Sequence, residues 1–385
     1  VAGEPRALED LVMFGGAFQN RRVWISGHTG FKGSWLAEWL LSLGADVHGY
    51  SLPPPTTPSL FEQAGLADRL RHEIGDVRDA AAVGRSIARA RPDYVFHLAA
   101  QPLVRLSYAQ PVETYATNVL GTIHVLEALR TLPNPCAAVF VTTDKCYENH
   151  ECARGYREDD PLGGYDPYSS SKAAAEIAIA AWRRSFFAQH PVRIASGRAG
   201  NVIGGGDWAQ DRIVPDCIRA LRDRLPVPVR NPAATRPWQH VLEPLSGYLW
   251  LAASLSSAPA SSGLDSAFNF GPTHDSDRTV SELVRELLRH WPGGRWEDRS
   301  DPNAVHEAGL LQLSIDKARS RLGWSPTWGF ATTIEQTAAW YREPGEENRK
   351  TLGQIARYTA DARAHGAPWA LPAPSGAPER QTPHA

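Results

Sequence analysis

Apolar positions along this chain fall into short continuous runs that alternate with longer stretches of helical spacing. Arg22-Val23-Trp24-Ile25-Ser26 is a run of the first kind, as expected of a strand covered on both faces. Apolar residues then return at helical spacing from Ser34 to Leu43. Asp46 to Tyr50 reads as a second strand and Gly75-Asp76-Val77-Arg78-Asp79 as the end of a third. Tyr94-Val95-Phe96-His97-Leu98-Ala99-Ala100-Gln101 reads as a buried fourth strand running into small residues, and Ala137 to Val141 as a fifth. Val112 to Leu129 and Tyr168 to Phe187 are long helical stretches. Strands alternating with helices predict an α/β fold with a parallel sheet between helical layers.

The first junction carries chemistry. Gly27-His28-Thr29-Gly30-Phe31-Lys32-Gly33 follows the first strand at once and opens the first helix. Glycines there let the backbone approach a pyrophosphate, while free N–H groups and the helix dipole favour negative charge. The pattern predicts a Rossmann-type doubly wound sheet that binds a dinucleotide. Its first two glycines are three residues apart rather than two, the spacing of extended short-chain dehydrogenases. The second strand ends in Ser51-Leu52-Pro53-Pro54-Pro55, without a carboxylate for a ribose hydroxyl, so this loop leaves NAD and NADP both open. Lys32 is read as serving the shared pyrophosphate or solvent, Asp79 as a helix N-cap and His97 as a core histidine.

Tyr168 and Lys172 are four residues apart on one predicted helix face. A tyrosine, with a reference pKa of about 10, acts as a base only where its phenolate is stabilised, and an ammonium one turn away can do this. The preceding strand ends in Thr142-Thr143-Asp144-Lys145, at the carboxyl edge where open parallel sheets bind ligands. If Tyr168 deprotonates a sugar hydroxyl as hydride leaves, the new ketone acidifies the neighbouring C–H. Lys145 is then placed as base and Asp144 as acid to expel water, with Thr143 bonding the sugar oxygen.

Composition narrows the class. The 385 residues are 42% apolar, enough for one large core and a smaller lobe, and a net charge of -2 gives no nucleic-acid footprint. No apolar run approaches the ~20 residues of a membrane span, and the start lacks a signal-peptide pattern. Cys136, Cys146, Cys152 and Cys217 form no metal-ligand spacing, which predicts no metal and a reducing cytoplasm; Cys146 is read as a packing residue.

The chain resembles the CDP-glucose 4,6-dehydratases, a branch of the extended short-chain dehydrogenase superfamily, from about Phe14 to Trp340. The glycine turn carries the resemblance together with Ala99-Ala100-Gln101-Pro102-Leu103-Val104-Arg105, Thr143-Asp144-Lys145-Cys146-Tyr147-Glu148-Asn149 and Asp166-Pro167-Tyr168-Ser169-Ser170-Ser171-Lys172. Arg198 to Trp208 and Arg236-Pro237-Trp238-Gln239-His240-Val241-Leu242 extend it. Lys145 in place of a glutamate is what the CDP-glucose branch looks like. The resemblance implies NAD, a nucleotide-diphosphate sugar and catalysis by Thr143, Asp144, Lys145, Tyr168 and Lys172. It implies cofactor contacts from Gly27, Thr29, Gly30, Phe31, Lys32, Gly33, Asp76 (toward the adenine amine), Val77, Leu98, Ala99, Ala100, Gln101, Asn118, Thr142, Tyr168, Lys172 and Arg198. For the substrate it implies Gln101, Asn201, Trp208, Arg212, Arg236, Trp238 and His240.

The implied organisation is a cofactor domain over 14–200 and a smaller C-terminal α/β substrate lobe over 201–345, with some chain crossing back. Residues 1–13 and 366–385 are expected to be flexible tails. The resemblance also implies a homodimer in which Val112 to Leu129 and Tyr168 to Phe187 build a four-helix bundle. A nucleotide-sugar 4-epimerase, a dehydratase of another nucleotide sugar and a non-catalytic NAD-binding sensor stay open. An epimerase would not need Asp144 and Lys145, and a sensor usually lacks the Tyr168/Lys172 pair that this chain keeps.

Overall fold

The computed structural model describes residues 13–152, 154–300 and 310–372. Its main sheet has six strands in the first half of the chain: β1 (Arg22–Ser26), β2 (Asp46–Ser51), β3 (Arg71–Ile74), β4 (Tyr94–His97), β5 (Cys136–Val141) and β6 (Val192–Arg198). A seventh strand, Ala267–Asn269, adds to β6. The order runs Ala267–Asn269, β6, β5, β4, β1, β2, β3, and every pairing is parallel. Strand order reverses between β1 and β4, and at such a reversal two loops part and leave a crevice at the carboxyl edge.

The continuous apolar runs have a simple cause. Side chains alternate across a strand, and both faces of this sheet are covered. Val23, Ile25, Phe96 and Val139 enter the core under the first helix, α1 (Phe31–Ser42), and under the helix Leu242–Ser257. Trp24, Val95, Ala138 and Phe140 enter the opposite core, beneath the helices Ala80–Ala90 and Gly121–Arg130. Asp79 accepts from the Ala82 N–H and caps the first of these helices, as its spacing predicts.

The predicted helix from Val112 is not uniform. Pro111–Tyr115 passes into a π turn, Ala116–Leu120, before α-helix resumes at Gly121–Arg130. Such a turn re-aims one side chain, here that of Asn118, into the interior.

The second half is built from short pairs. Val202–Ile203 pairs with Gln239–His240, Thr235–Pro237 with Asp277–Thr279, and Val227–Val229 with Trp296–Asp298. The division expected near residue 200 is interwoven, because Leu242–Ser257 and Ala267–Asn269 belong to the first layer.

The expected tails need correction where they are described. Helix Glu347–Ala364 packs against α1 and leads into the 3-10 turn Pro368–Ala370. Trp369 there is wholly buried, stacked 5.1 Å from Phe14 and 5.7 Å from Tyr358, and Met13 is buried as well. Proline and alanine content suggested a solvated tail, but one indole placed against an aromatic cluster outweighs it. The rest of the tail expectation, 1–12 and 373–385, lies outside the described residues.

Candidate active site

Gly27 leaves β1 with φ +78°, and a Cβ there would stand 2.7 Å from the Ala99 nitrogen beyond β4. A Cβ on Gly33 would meet the Gly27 carbonyl oxygen at 2.1 Å. Glycine is therefore required at both positions, and the turn hugs the backbone closely enough to leave a cradle at the start of α1. Gly30 caps that helix without a side chain, so the first N–H groups stay available to a ligand. Thr29 ties the turn to β2 through Ser51 Oγ (2.8 Å) and the Leu52 carbonyl (2.9 Å). His28 lies beneath, 2.7 Å from His72, and burial first, then its histidine neighbour, push its pKa down to about 3.

The opposite lip is held from below. Ser26 Oγ accepts from the Leu98 and Ala99 N–H groups at 3.2 Å each and bonds His97 Nδ1 at 2.6 Å. His97 also bonds Thr122, and burial pushes its pKa down to about 3, so it is the core residue anticipated. Asn118 accepts from the Gln101 N–H (2.9 Å) and donates to its carbonyl (3.1 Å) and to Ser171 Oγ (2.9 Å). It does not line the cleft; it clamps the β4 loop to the helix that carries Tyr168.

That helix, Pro167–Ser185, starts with Asp166 accepting from the Ser169 N–H and with proline in the first turn. Tyr168 is buried on its first turn, its N–H donating to Ser107 Oγ at 3.1 Å. Burial pushes its phenol up to about 12, opposed by a hydrogen bond with Thr143 and by the Arg212 charge. Lys172 lies one turn on, its Nζ 3.5 Å from the Val141 carbonyl. Burial lowers its pKa to about 8, and Glu176 is the main opposing influence.

Thr143 donates to Asp144 Oδ1 at 2.9 Å, and Asn201 donates to Asp144 Oδ2 at 3.3 Å. A Cβ on Gly200 would lie 1.9 Å from that carboxylate, so Gly200 makes the space Asp144 occupies. Lys145 lines the same cleft. Lys32 lines it too, within the field of Asp144, Lys172 and Arg212. Burial, reinforced by Arg212, lowers its pKa to about 8.

The cleft between the two lips has a volume of about 1800 Å³. Pockets for one small molecule span about 300–1,000 Å³, so this cleft has room for two nucleotide-sized ligands side by side. The predicted Gly27, Thr29, Gly30, Phe31, Gly33, Val77, Leu98, Ala99, Ala100, Gln101 and Thr142 all line it, as does Asp76 with its carboxylate held by Arg78 at 2.6 Å. On the far side stand Asn201, Trp208, Arg212, Arg236 and Trp238. Arg212 donates to Asp207 at 2.9 Å, and the Trp208 indole donates to Gln63 at 3.0 Å.

Besides Asn118, expected as a cofactor contact and found outside the cleft lining, two expected contacts are corrected. Arg198 does not face the cleft: it pairs with Glu176 at 2.8 Å and donates to the Tyr147 hydroxyl at 2.7 Å, both beneath the catalytic loop. His240 is fully buried between Trp35 and Trp328, its pKa pushed down to about 3 by burial. Arg198 ends the seven-residue strand β6 and His240 the two-residue strand Gln239–His240, and each falls on the inward side. Glu176 was not anticipated, although Tyr168, Lys172 and Glu176 recur every four residues on one helix face. It binds Thr142 Oγ1 (2.6 Å) and Ser196 Oγ (2.9 Å) as well as Arg198, and so supports the strand end that bears Thr143. Arg105, which ends the segment 99–105, was given no role in advance, and Asp211 and Arg230, also in the cleft, carry no local signal.

Comparison with known proteins agrees with this geometry. Residues 24–337 match the family model described as GDP-mannose 4,6 dehydratase. The chain is 49% identical over 330 residues to the CDP-glucose 4,6-dehydratase of Salmonella typhimurium, covering 84% of this chain and 91% of that protein. The fold is shared with a dTDP-glucose 4,6-dehydratase of Bacillus anthracis solved with NAD, at 21% identity and TM-score 0.68, covering 84% of this chain and 96% of the other. It is shared likewise with one from Streptomyces venezuelae, also solved with NAD, at 24% identity and TM-score 0.70, covering 85% and 99%.

Proposed function

The chain belongs to the GDP-mannose 4,6-dehydratase family, and from that premise we propose that it converts CDP-glucose to CDP-4-keto-6-deoxyglucose and water. The observation that carries this reading is Thr143, Asp144 and Lys145 at the carboxyl end of β5, set against Tyr168 and Lys172 in one cleft. That constellation is joined to 49% identity with a CDP-glucose 4,6-dehydratase.

The residues that fit a dinucleotide are the Gly27–Gly33 turn, where a Cβ on Gly27 or Gly33 would strike backbone and open the turn, and the small residues Ala99 and Ala100 opposite. NAD held there supplies the hydride acceptor at C4 and the donor at C6, with no net consumption. The chain's own groups move the protons. Tyr168 acts as the phenolate, favoured by the Thr143 hydrogen bond and the Arg212 charge and by the Lys172 ammonium one helical turn away, and takes the C4 hydroxyl proton as hydride leaves. Thr143 bonds the same oxygen. Lys145 removes the C5 proton, which the C4 ketone acidifies, and Asp144 protonates the departing C6 hydroxyl. The electron pair of the C5–H bond becomes the C5–C6 double bond as water leaves; when hydride returns to C6, Lys145 gives its proton back to C5, and the proton Tyr168 took replaces the one Asp144 gave up. Arg212 and Arg236 take the diphosphate, and Asp76 takes the adenine amine.

The subunit pairs with a second copy through the helices Pro111–Arg130 and Pro167–Ser185, where Val112, Leu120 and Ile177 are each more than half exposed. It works in a reducing compartment such as the cytoplasm, which suits its four unpaired thiols.

Incubation with NAD and, in parallel, CDP-, dTDP-, UDP- and GDP-sugars, read by mass spectrometry, tests the reaction. Loss of one water from CDP-glucose alone is expected. An unchanged mass with an altered sugar configuration would make the chain an epimerase, and no change with any sugar would favour a sensor.

A further inference from the structure

Between residues 199 and 238 the charged groups on the cleft wall are four arginines and three aspartates. Arg105 faces them from the helix Val104–Ala109, which follows the β4 loop. This part of the cleft is thus rich in guanidinium groups, with carboxylates set among them.

The three carboxylates are not alike. Asp207 is buried and bound to Arg212 at 2.9 Å. Asp216 sits on the helix Ile213–Arg222 with Arg219 and Arg230. Asp211 stands on the connecting loop with φ +62°, its side chain 43% exposed. A single oxygen, Asp211 Oδ1, accepts from Arg230 Nη1 and lies 3.9 Å from Arg105 Nη1. Arg230 follows the strand Val227–Val229 of the second lobe, so this carboxylate joins the two walls of the cleft. Arg230 first, and then Arg105 among other charges, hold the Asp211 carboxyl below its usual range, so it stays anionic at neutral pH.

A carboxylate held between arginines from opposite walls occupies the position that suits a phosphate. We propose that Asp211 is an internal anion that stands in for a substrate phosphate between Arg105 and Arg230, and that a nucleotide-diphosphate sugar binds by displacing it. This rests on the reading of the cleft as a nucleotide-sugar site. Two consequences follow from the geometry. Both arginines are held in their binding positions before substrate arrives, which lowers the ordering cost of binding. The carboxylate also competes with the substrate, so weak anions are rejected and product is released more readily.

The test is Asp211→Asn, an isosteric change that a left-handed backbone tolerates. CDP-glucose turnover and calorimetric binding of CDP are measured on the wild type, on this variant, on Arg105→Gln/Arg230→Gln, and on the triple variant. The neutral side chain should lower the KM for CDP-glucose and the Kd for CDP by about two- to fivefold, the range an exposed ion pair commands. The double arginine change should raise both constants, and adding Asp211→Asn to it should bring no further gain. Unchanged or weaker binding by Asp211→Asn would overturn the proposal, as would an equal gain in the arginine-less background, where only net charge could act. Absence of turnover and of CDP binding in the wild type would instead overturn the reading of the site on which the proposal rests.

Discussion

Glu176 and Arg198 meet at 2.8 Å with their side chains 2% and 4% exposed, directly beneath the strand end that carries Thr142. A buried pair of this kind adds little net stability, but removing one partner strands the other charge. Glu176 also lies one helical turn beyond Lys172 and opposes the lowering of that ammonium's pKa by burial. The pair therefore links the packing below the sheet end to the charge state of the residue that serves Tyr168.

Glu176→Gln should act on both. Leaving Arg198 uncompensated is expected to cost about 3–5 kcal/mol, read as a lower midpoint in thermal or denaturant unfolding. Activity that needs the Lys172 cation is present below a pKa of about 8 and declines as pH rises through it. Without Glu176 that pKa falls further, so the alkaline limb of the kcat profile should move to lower pH. An alkaline limb that stays in place would separate Lys172 from Glu176.

Asn118 is a positioning residue. Asn118→Ala removes three hydrogen bonds between the β4 loop and the helix of Tyr168, two of them to the Gln101 backbone. The freed Gln101 groups are part-buried and would cost about 1–3 kcal/mol if left unpaired. Displacing Tyr168 relative to Ala99 should lower kcat by about ten- to hundredfold. A loss of stability with unchanged kcat would show that the clamp holds the fold and not the catalytic geometry.

Lys145→Ala should abolish elimination while leaving the dissociation constant for NAD unchanged, because Lys145 lies beyond β5 and the cradle is built on β1 and α1. Product formation followed by mass spectrometry and NAD binding followed by fluorescence report the two separately. Full retained turnover would remove Lys145 as the base.

At the aromatic cluster, Trp369→Ala should destabilise the protein by about 3–5 kcal/mol, since the indole is wholly buried among Phe14, Trp39 and Tyr358. Unfolding midpoints measure it. Catalytic constants should hold, because none of these rings lines the cleft.

What could be read in advance was local. The glycine turn, the Thr143-Asp144-Lys145 strand end and the Tyr168/Lys172 pair are each set by neighbours within a few residues, so spacing alone exposes them. Arg198 and His240 were misplaced because the inward or outward side of a strand end depends on register, which no local pattern carries. The Arg105, Asp211 and Arg230 bridge joins three distant segments, and Trp369 finds its cover more than 300 positions away at Phe14. Such contacts are made by the fold, and a helical spacing read through Ala116–Leu120 cannot reveal the π turn that aims Asn118.

Glu243 makes the seam between the two halves sensitive to pH. Its carboxylate accepts from the Thr327 N–H (2.9 Å), the Trp328 N–H (2.6 Å) and the Tyr358 hydroxyl (2.7 Å), in full burial. Burial outweighs these bonds and raises its pKa from 4.5 to about 7. Between those values the unfolded chain has lost the proton and the folded chain still holds it, so stability falls as pH rises. The contribution is complete below about 4.5 and lost through about 7, roughly 3 kcal/mol for the whole step. Glu243→Gln should lower the midpoint at every pH, because an amide cannot accept from all three donors, yet it should remove that part of the slope. Denaturant unfolding of both proteins between pH 4.5 and 8 measures the difference. Parallel pH profiles for wild type and variant would show that Glu243 does not titrate in this window.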